Sequence, residues 1–325
     1  MKAGLLGIVG AMTMAVSAPM ARAEYPERPI TMIIPYGAGG TTDLSARTIS
    51  EPLGKAVGQP LVMSNIAGAG GATGTVAVKN ASADGYTMLF GRVGPHSVSP
   101  AMKAMLPYTL DDLRFVAVYE INPIVCVVDP KSGIQTVEDL VARVGEGGVT
   151  YSSSGVGSLQ QIAAVMVLRE FGVEDPVGAA THIPQKSDGE AATSVLNGTA
   201  TFLCTNSSPL AGFVKAGQLH PLLTTSEERL EGFDAPSATE LEKPALTRLV
   251  GWTGIAGPAD LPDELVAQWS GWLATATEDP RFRQRMEASG SIIELMSPED
   301  SDSFIRGQYE AIRALVDELG MRIEG

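Results

Sequence analysis

From Ile30 onward the chain alternates short apolar runs with amphipathic stretches, and few folds accommodate that order. "ITMIIPY", "LVMSN", "YTMLFG", "FVAVYEINPIVCVVDP", "VTYSSS", "ATFLCTN" and "LHPLLTT" read as strands. Between them "TTDLSARTISEPLGKAV", "TVEDLVARVG", "GSLQQIAAVMVLREFG" and "GEAATSVLNG" carry apolar residues at helical spacing. Strand and helix in alternation predict an α/β fold, mainly parallel sheets with helices on both faces. No fixed-period repeat and no low-complexity tract breaks the order. A mature chain of about 300 residues is long enough for two domains of ordinary size.

The run from Phe115 to Pro130 is too long for one ordinary strand, and Asn122-Pro123 is expected to break it in the middle. It is the expected crossing between two lobes, with a second crossing near Thr224 to Arg229. This divides the chain into 24–123 with 226–325 as a discontinuous first lobe, and 124–225 as the second. The C-terminal part is helical. Pro262-Asp263-Glu264 and Ser297-Pro298-Glu299-Asp300 are helix starts, and these helices are expected to return to the first lobe. A cleft between lobes, at the C-terminal ends of parallel strands, is where such a fold binds its ligand.

Residues 1–23 have the layout of a secretory signal peptide: Lys2, an apolar stretch, and a small-x-small end at Ala21-Arg22-Ala23. The mature chain is expected to begin at Glu24 and to be soluble in the periplasm. Losing Lys2 and Arg22 takes the formal net charge from −14 to −16. So acidic a chain is a poor partner for nucleic acid or anionic lipid. Any anionic ligand must then be held by local donors. Cys126 and Cys204 both lie in apolar runs. A bridge is open to them in an oxidising compartment, but it needs Cα atoms within ~7 Å. Two buried, unpaired small side chains are the expectation.

Four groups of loops at strand ends carry the chemistry. In the first, "PYGAGGTTD", Tyr36, Gly39, Gly40, Thr41 and Thr42 place a glycine turn before a helix, whose free N–H groups suit a carboxylate. Asp43 is expected to cap backbone donors in the loop rather than meet an anion. The second, "SNIAGAGGATG", contains Ala67, Gly68 and Gly70. It fails the dinucleotide fingerprint, because Thr73 stands at the third glycine and the turn follows the second strand. In the third, "YSSSGVGSLQQ", Ser153, Ser154 and Ser158 offer hydroxyls, with helix capping as the alternative role. The fourth group is "GRVGPHSVSP", "PQKSDGE" and "LCTNSSP", with Arg92 and His96 as candidate sources of positive charge, and Ser187, Asp188 and Asn206. His96, His182 and His220 are scattered with no metal-ligand spacing, and His182 is expected to be a satisfied core residue. No metal, cofactor or catalytic residue is expected. There is no G-x-S-x-G, and neither cysteine has a polar motif that would mark it as activated.

In their order and spacing, "YPERPITMIIPYGAGGTTDLSAR", "GQPLVMSNIAGAGGATG", "ADGYTMLFG", "YSSSGVGS" and "GWTGIAGPADLP" resemble the Bug family. These are periplasmic solute-binding receptors of tripartite tricarboxylate transporters, and the resemblance runs from about Tyr25 to the C-terminus. It implies a two-lobed Venus-flytrap receptor, expected to be a monomer, which closes on a small carboxylate and docks on membrane permease subunits. It also implies that the turns at Tyr36 to Thr42 and Ala67 to Gly71 surround one carboxylate through backbone donors and water. Ser153, Ser154 and Ser158 would face it from the other lobe. The chain departs from the family where Gly37-Ala38-Gly39-Gly40 replaces "APGG", where Gln161 replaces a usual His, and where "PQKSDGEA" replaces "PYKG" and its following Ala-Pro. Asp188 and Glu190 then either cap the next helix, which is the expectation, or meet a ligand hydroxyl or amine. An exported hydrolase and a sensor's binding module are the alternative readings.

Overall fold

The computed structural model describes residues 25–38 and 41–323; the expected signal peptide, Gly39 and Gly40 lie outside the described residues. The chain opens with β1 (Ile30–Ile34), α1 (Thr41–Val57), β2 (Leu61–Asn65), α2 (Ala72–Lys79), β3 (Thr87–Arg92) and the short α3 (Ser99–Met102). The long β4 (Leu113–Val128) leads to α4 (Val137–Glu146), β5 (Thr150–Ser153), α5 (Leu159–Glu170) and β6 (Thr181–Pro184). Next come α6 (Asp188–Leu196), β7 (Phe202–Asn206), α7 (Ser207–Lys215) and β8 (His220–Thr224). The chain finishes with β9 (Val250–Pro258), α8 (Asp263–Thr277), α9 (Pro280–Glu287), β10 (Ile292–Ile293) and α10 (Pro298–Glu318).

Strands run in the order β2-β1-β3-β9-β4-β7-β5-β6. Each half has a parallel trio, β2-β1-β3 on one side and β7-β5-β6 on the other. The strand β4 belongs to both halves. Leu113 to Pro123 pair with β9, whereas Ile124 to Val128 pair with β7 and β8, all antiparallel. Asn122-Pro123 therefore does not interrupt the strand; it marks where β4 changes partners. Antiparallel pairing there follows from the path, since β4 leaves the first half and β9 returns to it.

Sequence periodicity accounts for most elements. The α1 helix buries Ala46, Ile49, Leu53 and Val57, one face at helical spacing. They pack with Ile30, Met32 and Ile34 of β1 and with Trp269 and Leu273 of α8. Two helices and one strand lack a clear local signal. The α2 helix starts inside a glycine turn, α7 begins in "SSPLAG", and β9 reads "VGWTGIAGP", whose glycines weaken any strand pattern. The β9 strand forms because β4 supplies backbone partners from Val250 to Pro258 and β3 supplies them from Thr253 to Ala256.

The cysteine expectation is corrected. Cys126 and Cys204 sit directly opposite each other on β4 and β7 and form a disulfide. Register between strands 78 residues apart in sequence decides this, and composition carries no trace of it.

Candidate functional site

The first wall is built from the ends of β1, β2 and β3. Asn65 Nδ2 donates to the Tyr36 carbonyl at 3.0 Å and to Asp43 Oδ1 at 2.9 Å, and Arg47 Nε donates to Asp43 Oδ2 at 2.8 Å. Asp43 thus braces the β1–α1 turn through the side-chain donors of Asn65 and Arg47. The Tyr36 hydroxyl reaches across to the Gly70 carbonyl at 3.3 Å, tying the two glycine-rich turns together. Gly70 has φ of 71°, a left-handed conformation suited to glycine, and the Lys103 ammonium lies beside it. A Cβ at Gly94 would run into the Tyr36 hydroxyl, so that phenol's seat depends on glycine. Burial pushes the Tyr36 phenol up to about 12, so it stays a neutral donor.

Arg92, at the end of β3, is only 4% exposed. Its Nη1 donates to Thr253 Oγ1 at 2.5 Å, and that hydroxyl donates to Glu120 Oε2 at 2.6 Å. Glu120 is buried and also accepts from Ser45 (2.5 Å), Ser291 (2.9 Å) and Asn122 (3.3 Å). Below Arg92, the buried His96 ring contacts the Arg92 backbone through Nδ1 and packs against Phe115 and Trp252. The sequence reading offered His96 as a source of positive charge. Burial instead holds its pKa down to about 4, so it is neutral near pH 7.

This has a consequence for acid stability. The unfolded imidazole takes up its proton near 6.5 and the folded one near 4, so His96 favours the fold fully above pH 6.5. That contribution is lost as pH falls through this window, up to roughly 3 kcal/mol. Thermal midpoints near pH 7 and near pH 4.5 should show a smaller drop in His96→Gln than in the natural protein.

The second wall comes from β5, α5, α6 and β7. Ser154 Oγ donates to Gln160 Oε1 at 2.9 Å, and Gln160 Nε2 donates to Asp188 Oδ1 at 2.6 Å and Thr205 Oγ1 at 3.2 Å. Ser158 caps α5 and Ser187 caps α6. Asn206 is 4% exposed, and its Oδ1 has no partner among the described residues.

The two walls enclose a cavity of about 950 Å³. Ten residues expected from sequence line it: Tyr36, Thr41, Thr42, Gly70, Arg92, Ser154, Ser158, Ser187, Asp188 and Asn206. Ala67, Gly68 and Ser153 do not, and Gly39 and Gly40 lie outside the described residues. Ser153 is fully buried because its hydroxyl serves the Gly155 carbonyl (3.0 Å) and His182 Nε2 (2.6 Å). His182 is half-buried on edge strand β6 and stacks on Tyr151. Sequence reasoning missed Ser99, Lys103, Gln160 and Lys186 in the lining. Gln160 stands in the first turn of α5, where a side chain at a helix start can reach a strand-end cleft. For Lys103 the chain offers no local signal.

Arg92, Lys103 and Lys186 border the cavity, and none of them is in an ion pair among the described residues. Three cations against one acid, Asp188, make a locally positive cleft in a chain of net charge −14. Among the described residues no cluster of His, Cys, Asp or Glu could hold a metal.

Residues 45–321 match the model of the tripartite tricarboxylate transporter family receptor, TctC. The chain belongs to this receptor family. Protein BugT of Bordetella pertussis is 28% identical over 327 residues, covering 98% of each chain. Two solved structures from Rhodopseudomonas palustris share the fold. One, solved with adipate, has a TM-score of 0.80 at 23% identity and covers 91% of this chain and 99% of its own. The other, MatC with bound malate, has a TM-score of 0.78 at 23% identity and covers 90% and 100%. The TctC receptor is thus a two-lobed binding-protein fold of the Bug type, with its cavity between the parallel trios.

Proposed function

We propose that this receptor captures a small carboxylate in the interlobe cavity, in the periplasm, and delivers it as a monomer to the membrane subunits of a tripartite tricarboxylate-type transporter. The observation that carries the reading is the cavity bordered by Arg92, Lys103 and Lys186, none of them in an ion pair among the described residues. Together with the glycine turn at Gly70 and the first turn of α1, they supply charge-assisted donors to an anion. The malate- and adipate-bound relatives are carboxylate binders on the same fold. Lobe boundaries at 24–123 with 226–325, and at 124–225, fit the change of partners in β4. The hydrogen bonds of Thr225 to Ile124 and Leu249 favour moving the second crossing to 249–250. Binding without turnover fits the cavity's content. The Ser153–His182 pair is turned away from it, and no cysteine is free among the described residues.

A thermal-shift panel of mono-, di- and tricarboxylates, aromatic acids and amino acids tests the reading. A ligand at a hundred times its Kd should stabilise by about 2.7 kcal/mol, a rise of roughly 5–10 °C for a chain of this size. The ligand should be recovered unchanged. Product formation would replace the receptor with an enzyme.

A further inference from the structure

Asp188 is the one acid on the cavity wall, and α6 does not need it as a cap. Ser187 Oγ accepts from the Glu190 N–H at 3.2 Å, and Glu190 Oε2 accepts from the Lys186 N–H at 3.1 Å, a reciprocal cap that leaves Asp188 out. The expectation that both acids cap the helix therefore holds for Glu190 alone. The Asp188 carboxylate is instead oriented by Gln160, which is clamped at both ends: Ser154 donates to its oxygen, while its Nε2 serves Asp188 and Thr205. Burial raises the Asp188 pKa, while the Ser154 and Thr41 hydroxyls and the Arg92 charge lower it. No Lys or Arg pairs with this carboxylate among the described residues. On the same wall, Asn206 Oδ1 is fully buried against Gly251 of β9. The Asp188 carboxylate is thus the acceptor that stands on one side, and the buried Arg92 guanidinium stands on the other, with a single described side-chain hydrogen bond.

We propose that the ligand is a carboxylate that also carries a protonated amine, an amino acid in the broad sense. Its ammonium meets Asp188, and its carboxylate meets Arg92 and the glycine-rich turns. This deepens the carboxylate-receptor reading and rests on it. A second carboxylate at Asp188 would bring like charges together out of water. A hydroxyl would donate one hydrogen bond but leave the carboxylate charge uncompensated. An ammonium compensates that charge and brings three donors. Lys186 is exposed, and Lys103 lies beside Gly70, so Arg92 and Lys103 supply the positive charge of the inner cleft and Asp188 the negative.

Calorimetric titration of the purified protein with matched acids tests this: butanoate against 4-aminobutanoate, and succinate against malate and aspartate. In at least one series the amine-bearing acid should bind tenfold or more tightly than its unaminated partner. Asp188→Asn should cut that ratio below threefold by weakening the aminated acid alone. If Asp188→Asn fails to fold, Gln160→Leu should lower the same ratio, since it frees the carboxylate without removing it. The proposal is overturned by three results: no preference for the amine, malate binding tightest of all, or Asp188→Asn changing both members of a pair alike. Uniform tightening would mean that Asp188 itself competes for the carboxylate seat. If no carboxylate of any kind bound, the receptor reading would fall too, whereas binding without amine preference sinks only this inference.

Discussion

Arg92→Met should weaken carboxylate binding by roughly 30- to 1,000-fold, the effect of about 2–4 kcal/mol expected when one partner of a desolvated charge pair is removed. The guanidinium is buried, it borders the cavity, and its described side-chain partner is a neutral hydroxyl, Thr253. Its remaining donors are the strongest available to an anion in the cleft. Methionine keeps the length and apolar stem. The Thr253–Glu120 hydrogen bond does not require Arg92, so the thermal midpoint of the empty protein should change little. Titration of natural and variant protein with the best acid from the panel is the measurement. Equal affinities would remove Arg92 from the site. Arg92→Lys should recover only part of the loss, because an ammonium cannot form the planar fork of a guanidinium.

Glu120→Leu should be the most damaging single change to the fold, costing about 3–5 kcal/mol. That corresponds to a fall in midpoint of about 10 °C for a chain of this size. Glu120 sits in β4 just before the strand changes partners at Pro123 and Ile124. Its carboxylate collects donors from α1 (Ser45), β9 (Thr253), β4 itself (Asn122) and the segment before β10 (Ser291). Leucine removes the acceptor and strands those donors in a dry interior, where each unmade bond is expensive. Glu120→Gln retains one acceptor oxygen and should lose less. Chemical denaturation of the three proteins ranks them. An unchanged midpoint for Glu120→Leu would show that the donors find other partners.

Asn122 extends this network to the opposite half. Its Oδ1 accepts from Ser207 Oγ at 3.1 Å, and Ser207 Oγ lies 2.7 Å from the Gly290 carbonyl. The polar chain from Arg92 through Thr253 and Glu120 to Asn122 and Ser207 thus connects the ligand cavity to the strand crossing. Damage at Glu120 should therefore reach both stability and the seat of Arg92.

The sequence by itself determined whatever short-range chemistry specifies. Apolar spacing defines α1 from Thr41 to Val57 and the strands β1 to β5, β7 and β8. Ser297-Pro298 starts α10, and the glycine turn before Thr41, the serines before α5 and the Ser187 cap before α6 mark the ends of strands that meet in one cleft. Ten cavity residues were legible for that reason: in a parallel α/β fold, strand-end loops converge whatever their sequence.

Only the tertiary structure decided what depends on register and on the direction of a side chain. It joined Cys126 to Cys204 through the pairing of β4 with β7, and formed β9 between partners that override its glycines. It turned Ser153 toward His182 and away from the cavity, swung Lys103 over Gly70, and used Gln160 to hold Asp188 at the cleft. Periodicity and caps are set by neighbours three or four residues away. These contacts instead join residues from 28 to more than 70 positions apart, so packing of the whole chain selects them and no local pattern encodes them.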